Sequence, residues 1–177
     1  MIRFAIAAAL LAAPAAAGVK SATPTAFEIE LSETVAVPPA QAWAVLRAPQ
    51  RWWSPEHTYS GDASKLYLDA QATGCFCERM GSTPEDRGSV EHLHIVYAQA
   101  PRMIRMTGGL GPLQAEAVAG TMTWKVDPEG SGSKITFHYL VSGHMRQGGE
   151  ELAPLVDKVL GEQLTRLKAA IEAAPSS

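Results

Sequence analysis

The chain has 177 residues, 46% apolar and 19% charged, which is enough for one sizeable hydrophobic core and too apolar for intrinsic disorder. Its 15 glycines show no period and it has only 2 cysteines, so a collagen-like or disulfide-dense scaffold is excluded. A formal charge of -3 gives no electrostatic footprint for nucleic acid or for an anionic membrane surface.

The chain opens with Arg3 as a single positive charge, a continuous apolar run over 4–13, and small residues at Ala15, Ala16 and Ala17. That is the pattern of a secretory signal peptide cleaved after residue 17. The run is too short to cross a bilayer, and no other stretch approaches the roughly 20 apolar residues that a membrane helix needs. The sequence therefore predicts a soluble protein, periplasmic or secreted, with no membrane span. Residues 18–26 are small and polar around Pro24 and read as a flexible leader. The domain then occupies 27–173, and 174–177 is a tail.

Along the domain, Phe27, Ile29, Leu31, Val35 and Val37 alternate with Glu28, Glu30, Ser32, Thr34 and Ala36, the period of a strand with one buried face. Pro38 and Pro39 end it, and residues 40–47 make a short helix with Pro39 at its first position. A second short piece follows from Pro49 through Trp53. Residues 54–65 are polar and turn-rich. Six short strands are then predicted, over 66–70, 75–80, 90–98, 103–107, 117–126 and 134–141, separated by clusters of turn residues. The segment 127–133, with Pro128, Gly130 and Gly132, is the clearest turn. Leu152, Leu155, Val156, Val159, Leu160, Leu164, Leu167 and Ile171 recur at spacings of three and four and predict a long amphipathic helix, with Pro154 in its first turn. The fold class is α+β, an antiparallel meander with the closing helix laid across it.

Nucleotide chemistry finds no support. Gly108, Gly109 and Gly111 precede Pro112 without the Lys-Ser/Thr of a phosphate-binding loop and read as a hairpin loop. A Gly-x-Ser-x-Gly nucleophile elbow is also absent.

The element order, the Pro38-Pro39 pair, the Pro49-Gln50-Arg51-Trp52-Trp53 segment and the closing helix resemble the SRPBCC superfamily. That group includes START-type lipid-transfer domains, polyketide cyclases and dehydrases, plant pollen allergens and homologues of a heat-shock ATPase activator. The resemblance spans 27–171. It implies a helix-grip fold, a curved antiparallel sheet of about seven strands (β-α-α-β6-α) wrapped around the C-terminal helix and enclosing an apolar cavity. The string Gly74-Cys75-Phe76-Cys77-Glu78 is similar to one in an exported subgroup that brings no assigned chemistry with it. Because the superfamily is defined by architecture, function has to come from the site.

Cys75 and Cys77 lie two apart on a strand, where side chains share a face roughly 6.5–7 Å apart. A disulfide needs Cβ atoms roughly 3.5–4.5 Å apart, so a regular strand keeps both thiols free unless a bulge intervenes. Three readings stand for them: buried small side chains, which leads, a metal pair, or a redox pair. His92 and His94 share a face by the same parity, and with Cys75, Cys77 and Glu78 they form a set of zinc-ligand types, yet no recognised metal motif is present. The expectation is no metal and no cofactor.

The residues expected to line a hydrophobic ligand site are Trp52, Trp53, Tyr59, Cys75, Cys77, Met122, Trp124, Phe137 and Tyr139, drawn from the aromatic segment and the apolar faces of the strands. Trp52 and Trp53 lie in a segment too short to bury both indoles on one helix face, which leaves two readings: one of them lines a cavity mouth, or they anchor the two short helices onto the sheet. The leading function is binding of a small hydrophobic or lipid-like molecule. A second is a cyclase, dehydrase or hydrolase in which Glu78, His92 or Tyr139 acts as acid or base, burial raising the Glu78 pKa. A third is a protein-partner module like the heat-shock activators, which export disfavours.

Overall fold

The computed structural model describes residues 18–175, so the predicted signal segment and the end of the tail lie outside the described residues. Eight strands form one antiparallel sheet: β1 (Val19–Thr23), β2 (Ala26–Val35), β3 (Leu66–Leu68), β4 (Cys75–Met80), β5 (Gly88–Gln99), β6 (Met103–Thr107), β7 (Ala117–Glu129) and β8 (Gly132–His144). Their spatial order is β1-β2-β8-β7-β6-β5-β4-β3. Every link from β3 to β8 is a hairpin between sequence neighbours, and the remaining pairing brings β2 back against β8. The alternation explains the register: Ile29 faces Tyr139 and Leu31 faces Phe137 across β2 and β8, while Met122 faces Tyr139 and Trp124 faces Phe137 across β7 and β8. These side chains all lie on the buried face. The β7–β8 turn is tighter than the segment 127–133 suggests, since the strands run on to Glu129 and Gly132 and Gly130 takes a positive φ of 59°.

Residues 18–26 do not form the expected flexible leader. Val19–Thr23 pairs with β2 as an edge strand, Val19 and Ala22 pack against the core, and the Gly18 carbonyl accepts from the Glu30 amide at 2.8 Å. The sheet accordingly has eight strands instead of about seven.

Helix α1 (Pro39–Leu46) begins with proline at its first position and buries Ala42, Trp43, Val45 and Leu46. Three single 3-10 turns follow, Pro49–Arg51, Pro55–His57 and Ala63–Lys65. Helix α2 (Gly149–Glu172) closes the chain and packs along β2 and β1 and against α1. It starts earlier than the first apolar residue suggests, so Pro154 lies inside it and not in its first turn. Among the described residues no helix is long and apolar enough to cross a membrane.

The space between sheet and helix is largely filled by aromatic rings. Trp124 stacks on Phe137 with centroids 5.1 Å apart, Trp52 meets Trp124 edge-on at 5.6 Å, and Trp53 meets Phe76 edge-on at 5.0 Å. Both tryptophans of the Pro49–Trp53 segment are buried, although the segment is too short to bury two indoles on one helix face. They need no shared helix face, because the 3-10 turn redirects the chain and each indole N–H finds a carbonyl: Trp52 donates to Leu46 and Trp53 to His57. Helix α2 fixes this segment, Arg166 donating to the Trp52 carbonyl at 2.9 Å and the buried Gln163 accepting from the Ser54 amide at 2.8 Å.

Candidate functional site

Strand β4 carries Glu78, and its neighbour β5 carries His92. In β4–β5 the pairing passes from Phe76↔Leu93 to Cys77↔Glu91, so His92 has no partner of its own. This bulge overturns the parity expectation. His92 turns inward and is buried beside the equally buried Leu93, whereas His94 lies outside and bonds Glu91. The same irregularity bears on the cysteines. Cys75 and Cys77 are joined in a disulfide, with Cα atoms 5.4 Å apart, so neither thiol is free as a regular strand would require. A ligand set of both thiolates with His92 and His94 is thereby removed, and among the described residues no group of three or more His, Cys, Asp or Glu side chains is placed to hold a metal ion.

Glu78 is fully buried, and such a carboxylate persists only if its oxygens are satisfied. The Tyr59 amide donates to Oε2 at 3.0 Å, the Ser60 amide donates to Oε1 at 2.6 Å, and His92 Nε2 lies 3.0 Å from Oε2. Burial by itself raises the Glu78 carboxyl, but these hydrogen bonds outweigh it and hold the group below its ordinary value, opposite to the expected direction. For His92 burial wins, pushing the imidazole below its ordinary value against the pull of Glu78. The pair is thus a carboxylate with a neutral imidazole, and the His92 ring is flanked by Phe76 and Tyr59 at 5.0 and 5.8 Å.

Beside this pair opens a cavity of about 820 Å³, bounded by the segment from Trp53 to Tyr59, the segment from Leu110 to Leu113 and the N-terminal half of α2. Leu152, Leu155, Val156 and Val159 supply the helical wall, Leu110 and Leu113 the wall opposite, and the His92 ring lies at the inner surface. The Tyr59 hydroxyl donates to the Gly111 carbonyl at 3.0 Å, tying the two loop segments together, and His57 pairs with Glu162 of α2 at 3.1 Å.

Of the residues expected to line a ligand site, Trp53 and Tyr59 border this cavity. Trp52, Met122, Trp124, Phe137 and Tyr139 are instead fully or almost fully buried in the core, and Cys75 and Cys77 lie away from the cavity. Tyr139 is also unsuited to acid–base work. Its hydroxyl donates to the Gly108 carbonyl and accepts from the Leu110 amide, both at 2.9 Å, and burial pushes its pKa up to about 12. It holds the β6–β7 connection down on the sheet. Gly120 makes room for this, since a Cβ there would fall 2.8 Å from the hydroxyl. The sequence reading missed the walls Leu110, Leu113 and Leu152 to Val159. A usable signal was present, because the apolar stripe of α2 begins at Leu152, well before the stretch that the sheet buries.

The family model described as polyketide cyclase/dehydrase and lipid transport matches residues 26–172. Among solved structures, protein MLL2253 from Mesorhizobium loti superposes with a TM-score of 0.59 at 12% identity, covering 84% of this chain and 99% of that one. Protein SA2116 from Staphylococcus aureus gives 0.59 at 14% identity, covering 83% and 94%, and CalU16 from Micromonospora echinospora gives 0.56 at 14%, covering 85% and 78%. At these identities the likeness is one of fold. A search of curated protein sequences returned no match.

Proposed function

The chain belongs to the polyketide cyclase/dehydrase and lipid transport family, and from that premise we propose that it is an exported binding protein whose cleft holds one small hydrophobic or lipid-like molecule. One observation carries the reading. Half of the closing helix leaves Leu152, Leu155, Val156 and Val159 incompletely covered beside an opening of about 820 Å³, within the size range of small-molecule sites. A guest would bury apolar surface that the protein's own side chains leave open, which is the usual driving force for such binding. Native mass spectrometry of protein taken directly from the periplasm should show a co-purifying apolar mass that dissociates on unfolding. Protein that arrives empty and also fails to take up long-chain alcohols or apolar fluorescent probes would defeat the reading.

Export has its own support. Cleavage after residue 17 would create an ammonium group at Gly18, whose nitrogen lies 3.0 Å from Asp157 Oδ1, so processing would turn an amide hydrogen bond into an ion pair. N-terminal sequencing of the secreted material is expected to begin at Gly18, and a start at Met1 would contradict it.

The Glu78–His92 pair favours a second reading, in which His92 takes a proton from a bound substrate while Glu78 orients the ring and stabilises the imidazolium formed. A Glu78→Gln protein that binds normally but loses turnover of an aromatic ketide panel would support it. Absence of turnover in the native protein would remove it.

A further inference from the structure

The lining of the cleft includes no lysine or arginine, so no permanent cation waits there for an anionic headgroup. Most of its polar groups are already engaged or face outward. His57 is paired with Glu162, the Thr58 hydroxyl donates to the Pro55 carbonyl, and Glu56 and Gln147 are exposed. His92 differs. Its side chain is 4% exposed and its Nε2 is taken by Glu78. Trp124 Nε1 is the sole sealed side-chain nitrogen or oxygen without a partner among the described residues, so His92 Nδ1, which bonds no protein group, must be reachable from the cleft that its ring lines.

What Nδ1 offers follows from its partners. The amides of Tyr59 and Ser60 donate to Glu78 and hold its carboxyl below the ordinary value, so at neutral pH both oxygens are acceptors and the contact with His92 is made by N–H on Nε2. A neutral imidazole protonated at Nε2 carries a lone pair on Nδ1. We propose that His92 Nδ1 accepts a hydrogen bond from the ligand, so that the cleft selects neutral apolar molecules bearing a hydroxyl, alcohols or phenols, over the matching ethers and carboxylates. This deepens the binding reading and rests on it. An ether brings no hydrogen and leaves Nδ1 unpaired. A carboxylate sets acceptor against acceptor close to the ionised Glu78, with no lysine or arginine in the lining to offset it.

The test is binding of a long-chain alkanol, its methyl ether and the matching carboxylate to the native protein at neutral pH, followed by calorimetry. The alkanol is expected to bind about tenfold more tightly than either analogue. In a His92→Phe protein the advantage over the ether should vanish while the ether still binds. Because that substitution takes a donor from Glu78 and can itself impair folding, imidazole ¹⁵N spectra of the native protein provide an independent readout. Nδ1 should resonate as an unprotonated nitrogen and shift on addition of the alkanol but not of the ether. Equal binding of alkanol and ether, tighter binding of the carboxylate, or a protonated Nδ1 in the free protein would overturn this selectivity and leave the cleft as a binding site. If none of the three binds, the cleft reading falls and the selectivity falls with it.

Discussion

The closing helix α2 has two halves made of the same kinds of residue and put to different ends. Over its C-terminal half, Leu160, Leu164, Leu167 and Ile171 are buried, and the polar side chains of Gln163 and Arg166 grip the segment that carries Trp52 and Trp53. Over its N-terminal half the apolar stripe continues through Leu152, Leu155, Val156 and Val159, yet an opening lies beside it and Leu155 is 58% exposed. The difference lies in what the remainder of the chain supplies opposite. Indole and phenyl rings fill one end, while two loop segments joined by the Tyr59 hydroxyl span the other. Filling stabilises the fold at one end, and incomplete filling leaves room for a guest at the other.

The largest contrast should come from the filled end. Trp124→Ala or Phe137→Ala removes a ring from the fully buried stack and should cost about 3–5 kcal/mol in urea unfolding. A loss below about 1 kcal/mol would mean that the stack is loosely packed. Next is Glu78→Gln, whose amide nitrogen would face the donors now met by a carboxylate oxygen, with an expected loss of about 2–3 kcal/mol by the same measurement. At the open end, Leu155→Glu should alter stability by no more than about 0.5 kcal/mol. The same substitution should weaken binding of a long-chain alkanol about tenfold, because it places a charge on the apolar wall. The reverse pattern, a large stability loss with unchanged binding, would mean that the two halves of α2 do not differ as described.

The smallest effect is the pH dependence. Both groups of the dyad titrate lower when folded, His92 because burial dominates, and Glu78 because its hydrogen bonds overcome the effect of burial. The unfolded chain therefore takes up each proton first. The stability contributed is fully present above the ordinary His value of 6.5 and is lost as the pH falls, with His92 acting first and Glu78 adding to the loss below its ordinary 4.5. Thermal unfolding should show a falling midpoint on acidification from neutral pH, with the upper part of the decline missing in His92→Phe. A midpoint that rises over that interval would contradict the neutral-imidazole assignment.

Much of the architecture was legible because hydrophobic period reports directly on local geometry. The alternation in β7 and β8 and the stripe of α2 place the buried faces correctly. The site was less legible, and for identifiable reasons. A single extra residue in β5 reverses side-chain parity, so His92 and His94 part company although they stand two apart, and no local signal marks the insertion. The register shift falls between Phe76 and Cys77, inside the cysteine pair, and the sequence does not mark it. The period of a strand identifies Trp124, Phe137 and Tyr139 as inward-facing, but inward can mean packed core or cavity wall, and only the tertiary positions of Trp52 and Trp53 decide that it is core. Residues 18–26 look like a leader by composition, yet an unpaired edge at β2 gives them a place in the sheet. Glu78 and His92 were both candidates for acid or base in the sequence, and the β4–β5 pairing brings them within 3.0 Å. The two backbone donors that lower the Glu78 pKa come from the turn-rich segment at Tyr59 and Ser60, which carries no hydrophobic period.

The central claim is that a guest occupies the open end of the helix–sheet space and leaves the filled end untouched. Methyl NMR during titration with a long-chain alkanol tests it most directly, because both ends carry reporters. Leu110, Leu113, Leu152, Leu155, Val156 and Val159 should shift, while Ile104, Ile135 and Val126 should stay in place. Shifts confined to Ile104, Ile135 and Val126, or no shift at either end, would contradict the account.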